Sequence, residues 1–259
     1  MIRPWTAVAV ASALVLVALG GCSQISEKRL EYTRTENVKI TKITVRPGSG
    51  DVVIRTADAQ TVQIKRLVRY RGAEPDGTNY RIDGTDLVVD TDCGRQCGVS
   101  YDIVAPRGVS VSGENGSGEI NVAEVDGVDV KVGSGGITVR GATGPVRAET
   151  GSGDVSISDA RQTVSAVAGS GDVTGRGLGG GEVTVRTGSG EINLSLDRAG
   201  PVRAEASSGT VNLTVPPGTY RVRAVADSGE RQVRVTEDPA ATVLLDVHSG
   251  SGDVTITQS

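Results

Sequence analysis

The stretch Val146-Arg-Ala-Glu-Thr-Gly-Ser-Gly-Asp-Val-Ser-Ile157 decides the fold. Up to Thr150 its small or apolar side chains, Val146, Ala148 and Thr150, alternate with the charged Arg147 and Glu149. That is the period of a strand with one buried face. After Gly151-Ser152-Gly153 and Asp154 the alternation resumes, with Val155 and Ile157 on one face and Ser156 on the other. The unit is therefore strand, glycine corner, strand.

It recurs along the chain. Close copies of the corner lie at Gly48 to Val52, Gly116 to Ile120, Gly169 to Val173, Gly188 to Ile192 and Gly250 to Val254. Degenerate copies lie at Gly133 to Ile137, Ser207 to Val211 and Asp227 to Glu230. Between the corner glycines Gly118, Gly135, Gly153, Gly171, Gly190, Gly209 and Gly229 the steps are 17, 18, 18, 19, 19 and 20 residues. A unit this short cannot bury its apolar face alone, but stacked units can. A sharp bend between strands often needs a positive φ, which Gly reaches without strain, so these glycines are read as structural corners.

A meander of hairpins and a parallel solenoid compete for this pattern, and the outward residues decide between them. If each coil lies directly over the last, Lys131 meets Glu149, Asp129 meets Arg147 and Arg186 meets Glu205. Only Arg203 and Arg223 become like-charged neighbours. The expected fold is all-β, a single-stranded parallel β-helix (β-solenoid) of about 18–19 residues per coil, its coils about 4.8 Å apart.

Composition agrees with so thin a core. Gly accounts for 36 of 259 residues, roughly twice the usual share. There are five Tyr, one Trp and no Phe, too few aromatics to fill the middle of a thick globule. The net charge of −4 and a pI near 5.2 argue against a nucleic-acid partner.

The chain opens with Arg3, an uncharged apolar run from Ala7 to Leu19, and Leu19-Gly20-Gly21-Cys22. Thirteen residues suit a signal h-region and fall short of the ~20 that span a bilayer. The ending resembles the lipobox of bacterial lipoproteins. That resemblance implies cleavage of residues 1–21, acylation of Cys22 and an extracytoplasmic protein anchored to the cell membrane. Residues 22–37 are polar and without a clear period, and are expected to be the lipidated N-terminus and a tether. Cys93 and Cys97 are expected to form a disulfide, since an oxidising compartment favours it and the only His, His248, is remote in sequence.

Candidate chemistry is sparse. Asp51, Glu119, Asp154, Asp172, Glu191, Glu230 and Asp253 follow the corners and could line one edge. They suggest calcium, as in nonapeptide repeats, or caps on backbone N–H groups at the bend. One acid per coil, interrupted at Gly136 and Thr210, favours the caps, and no cofactor or metal is expected. A single His leaves no Ser-His-Asp arrangement, so no enzyme is expected either. Residues 61–105 break the monotony with a basic strand and with Tyr70, Arg71, Tyr80, Arg81 and Tyr101. These read as a candidate partner surface or as a cap over the first coil.

Ala105-Pro106-Arg107-Gly108-Val109 leading into GSGEI, and Val215-Pro216-Pro217-Gly218 leading into DSGE, resemble the "VPxG…GSGDI" signature. It belongs to a bacterial family of β-strand-repeat proteins of unknown function, related to adhesin-type head domains. The resemblance covers about 38–259 and implies a right-handed β-helix with no catalytic residues. Asp227 and the inserted Arg231-Gln232 depart from the pattern. Residues 38–110 are expected to be N-terminal coils and cap, and 111–259 the regular repeat. The expected role is non-catalytic binding, adhesion or structure at the cell envelope, toward an envelope protein or glycan. The alternatives are an accessory of envelope-stress signalling, a calcium-stabilised surface module and, least, a polysaccharide-active enzyme.

Overall fold

The computed structural model describes residues 27–259; the expected signal segment and Cys22 lie outside them. The strands are β1 (Lys28–Glu36), β2 (Lys42–Arg46), β3 (Val52–Ala57), β4 (Val62–Tyr70), β5 (Tyr80–Asp83), β6 (Asp86–Asp90), β7 (Cys97–Pro106) and β8 (Ser110–Ser117). Then come β9 (Ile120–Ala123), β10 (Val128–Ser134), β11 (Ile137–Arg140), β12 (Val146–Ser152), β13 (Val155–Ser158), β14 (Val164–Ser170), β15 (Val173–Leu178) and β16 (Val183–Ser189). The chain closes with β17 (Ile192–Leu196), β18 (Val202–Ser208), β19 (Val211–Val215), β20 (Thr219–Ser228), β21 (Arg231–Arg234), β22 (Thr236–Glu237), β23 (Leu244–Ser251) and β24 (Val254–Gln258).

They build two 12-stranded sheets, and each coil gives one strand to each. From β8 to β19 the coils stack in chain order, parallel and in register apart from one irregularity between Gly175 and Leu178. Val146 pairs with Val128 on one side and Val164 on the other, so the solenoid is the fold. The three expected charge pairs form: Lys131–Glu149 at 2.8 Å, Asp129–Arg147 at 3.8 Å and Arg186–Glu205 at 3.4 Å. Exposed pairs of this kind contribute at most about 1 kcal/mol each, so they select register more than they stabilise. The inward columns Val128/Val146/Val164/Val183/Val202 and Val130/Ala148/Ala166/Val185/Ala204 are buried throughout. A core two side chains thick fits such small residues.

At both ends the coils leave chain order. The β2–β3 coil lies against β8–β9, and β6–β7 is outboard of it. At the other end β23–β24 is inserted between β18–β19 and β20–β21. This corrects the expected sequential stacking after Gly209. The insertion places Asp246 between Arg203 and Arg223, in register with both, and removes the one like-charge clash that chain order would create.

A second correction concerns residues 22–37. Of these, Lys28–Glu36 is not tether but a nine-residue strand, β1, paired antiparallel with β4 along its whole length. Leu30 and Tyr32 pack against the core, while the charged remainder suits the outermost strand of a sheet. β4 is in turn antiparallel to β7, and β5 to β6, so the N-terminal end of the parallel stack is closed by antiparallel pairs.

Candidate functional surfaces

The Gly-Ser-Gly corners form one straight edge. Ser49, Ser117, Ser134, Ser152, Ser170, Ser189, Ser208, Ser251 and Ser228 follow one another in register, all exposed. Gly118, Gly135, Gly153, Gly171, Gly190 and Gly209 each have positive φ, between 107° and 142°. A methyl at Gly171 would also run into the carbonyl oxygen of Gly153. The corner is thus fixed twice, by backbone conformation and by the close approach of the next coil.

The aspartates after the corners act as caps. Asp51 Oδ1 accepts from Glu119 N–H at 3.0 Å, Asp154 Oδ1 from Asp172 N–H at 2.9 Å, and Asp172 Oδ1 from Glu191 N–H at 2.8 Å. Asp253 Oδ1 does the same for Glu230 N–H. Glu119 and Glu191 turn instead to their own strands, where Asn121 Nδ2 donates to Glu119 and Asn193 Nδ2 to Glu191. One further set of caps was not anticipated. Inside the corner, Asn115 Nδ2, Thr150 Oγ1, Thr187 Oγ1 and Ser249 Oγ donate to the carbonyls of Gly50, Gly135, Gly171 and Gly209. Thr150 and Thr187 share one buried column with Asn115, Val132, Ala168, Ala206 and Ser249, where in sequence a threonine reads as one more small inward residue.

The residues read as a candidate partner surface divide. Tyr70 and Tyr101 are buried, 5% and 2% exposed, and Tyr80 is half-buried, whereas Arg71 and Arg81 are exposed. The two buried tyrosines present almost no side chain to solvent and belong to the hydrophobic core. The Tyr101 hydroxyl is shared between the carbonyls of Asn79 and Asp90, and burial pushes its pKa well above the usual phenol range. Tyr80 Oη donates to Glu36 at 3.0 Å. Arg66, 6% exposed, bonds the carbonyls of Gly77 and Thr78 and stacks 4.5 Å from the Tyr32 ring centre. Its Nε finds no acceptor among the described residues.

Cys93 and Cys97 are joined, and their loop replaces the Gly-Ser-Gly corner in the β6–β7 coil. An open cleft of about 610 Å³ lies beside it, lined by Ser49, Asp51, Arg69, Arg71, Asp92 and Gln96. Two of its acids are engaged with backbone: Asp92 accepts from Gly94 N–H within the loop, and Asp51 from Glu119 N–H of the neighbouring coil.

The two broad faces differ in chemistry. On one sheet the outward column runs Asn121, Thr138, Ser156, Thr174, Asn193, Asn212, Thr255, uncharged through seven successive coils. Asn212 Nδ2 donates to Asn193 Oδ1 at 3.0 Å, and a shallow depression opens at Thr174, Asn193, Asn212 and Thr214. The opposite sheet presents the charged pairs described above.

No curated protein matches the chain. Among solved structures, a "putative cell adhesion protein" from Clostridium sporogenes ATCC 15579 is 12% identical with a TM-score of 0.31, over 90% of this chain and 100% of that one. A "putative adhesin" from Bacteroides fragilis NCTC 9343 is also 12% identical, with a TM-score of 0.37 over 88% and 97%. Residues 101–257 match the family model of the Toastrack domain DUF4097, and with more than half its length in that match, the chain belongs to the Toastrack DUF4097 family.

Proposed function

We propose that this protein is a lipid-anchored, extracytoplasmic binding or structural module of the cell envelope, with no catalytic step of its own. The observation that carries the reading is the uncharged column from Asn121 to Thr255. It offers hydroxyl and carboxamide groups at intervals of about 4.8 Å on a face that needs no rearrangement to bind. Such an array suits hydrogen bonding to an extended polar chain, an envelope glycan or an extended protein segment. Burial raises the pKa of Tyr101, and a hydrogen-bonded carboxylate raises those of Lys65, Arg107 and Lys131; each of these is an ordinary structural pairing.

The anchor rests on Leu19-Gly20-Gly21-Cys22. Two or more acyl chains hold a protein on a membrane far better than one. One experiment tests both parts: Cys22→Ala should move the protein from the membrane fraction to the soluble extracytoplasmic fraction. The released protein should be retained on isolated envelope polysaccharide, and a triple variant carrying Thr174→Lys, Asn193→Lys and Asn212→Lys, with unchanged melting, should not be. A Cys22→Ala protein that stays with the membrane removes the anchor, and equal retention of the triple variant removes the face.

A further inference from the structure

β20 and β21 form the outermost coil at the C-terminal end of the stack. The carbonyl of Tyr220 accepts from Asp238 N–H on the outer side, so strand alternation turns the N–H and C=O groups of Val222, Ala224 and Ala226 to that side too. Beyond Tyr220 no strand among the described residues pairs with this edge. The side chains of Val222, Ala224 and Ala226 face the core but are only half-buried. Their register mates one coil inward, Leu245, Val247 and Ser249, are fully buried. The stack therefore ends on an open core.

Arg231 lies across that opening. It occupies the inward column in which its register mate is Val254 and the next coil has Val211. Its Nε donates to Ala224 O at 3.1 Å, and its guanidinium lies 3.8 Å from Glu237. An inward charge at a sheet edge blocks the addition of a further strand.

β20 is also complementary to itself in reverse. With the centre at Val225, antiparallel pairing sets Arg223 opposite Asp227 of a second copy and Ala224 opposite Ala226. Val225, 42% exposed, is the one exposed large apolar side chain among the described residues, and it would meet its own counterpart. The backbone agrees. Ala224 and Ala226 point to the free edge and can form the hydrogen-bonded pair. Val225 shares the orientation of Arg221, whose N–H is bonded to Val243 on the inner side.

We propose that the outer edge of β20 is a docking edge for a second copy of this chain, held shut by Arg231. Light scattering on the detergent-solubilised full chain tests this. The wild type should be monomeric, and Arg231→Val, which restores the apolar column, should double the mass. Adding Val225→Cys to that variant should give a disulfide-linked dimer beyond any seen without the new cysteine. Adding Asp227→Arg instead should return it to a monomer, because Arg223 then faces a like charge. If Arg231→Val does not melt cooperatively, Arg231→Gln takes its place in the same measurements. A monomeric Arg231 variant that folds, a dimeric wild type, or a dimer that the Val225→Cys substitution does not crosslink overturns the proposal.

Discussion

Gly171 combines a φ of 135° with a backbone carbonyl in the space a methyl would take. Gly171→Ala should therefore cost about 3 kcal/mol in urea unfolding, since strain and overlap add. Ser170→Ala, one position earlier and exposed, should stay within about 0.5 kcal/mol. Tyr101 gives a pH-dependent counterpart. An unfolded tyrosine ionises near 10.0, and burial raises the folded value above it, so the folded state holds the proton more tightly. That stabilisation is complete below pH 10 and is lost as pH rises past it toward the folded value. Desolvation raises Tyr80 in the same direction, helped by its hydrogen bond to Glu36. The melting temperature should fall above about pH 10. Tyr101→Phe should cost about 1 kcal/mol of stability at neutral pH and flatten the alkaline slope. An unchanged slope would place the tyrosine in water.

Among the strands, legibility followed the strength of the alternation. β10 to β14 and β16 to β19 could be read residue by residue, because charged outward positions such as Lys131 and Glu149 name their neighbours, whereas the glycines of β15 break the alternation before its buried Leu178. β1 could not. KRLEYTRTE offers only Leu30 and Tyr32 to the core, and a strand at the sheet margin needs no more than that. Its partner β4 carries the stronger pattern, with Val62, Ile64, Val68 and Tyr70 buried. The capping roles of Thr150 and Thr187 were hidden for another reason: a buried hydroxyl satisfied by a carbonyl in the next coil looks, in sequence, like any small residue. Tyr70 and Tyr101 were ambiguous because Tyr with Arg serves contact surfaces and covered ends alike.

For the molecule as a whole, the two ends of the stack follow motif quality rather than chain order. The close copies GSGDV at Gly48 to Val52 and Gly250 to Val254 lie against the regular run, while the disulfide corner and the degenerate DSGE lie outside them. The opposed Arg203 and Arg223 were the visible warning that chain order fails there. Paired Cα atoms of neighbouring strands, about 4.8 Å apart, fall within disulfide range. Asn212→Cys with Thr255→Cys should accordingly crosslink under mild oxidation, whereas Asn212→Cys with Gln232→Cys should not. The reverse result would restore sequential stacking. The inserted β23–β24 coil also bears on how the molecule is made. Residues 219–237 precede 244–258 in the chain, yet β18–β19 takes the later segment as its neighbour and β20–β21 stacks on that segment in turn. A chain that lacks residues 244–258 therefore has no native inner partner for β20, so this end of the stack cannot close until the last strand is available.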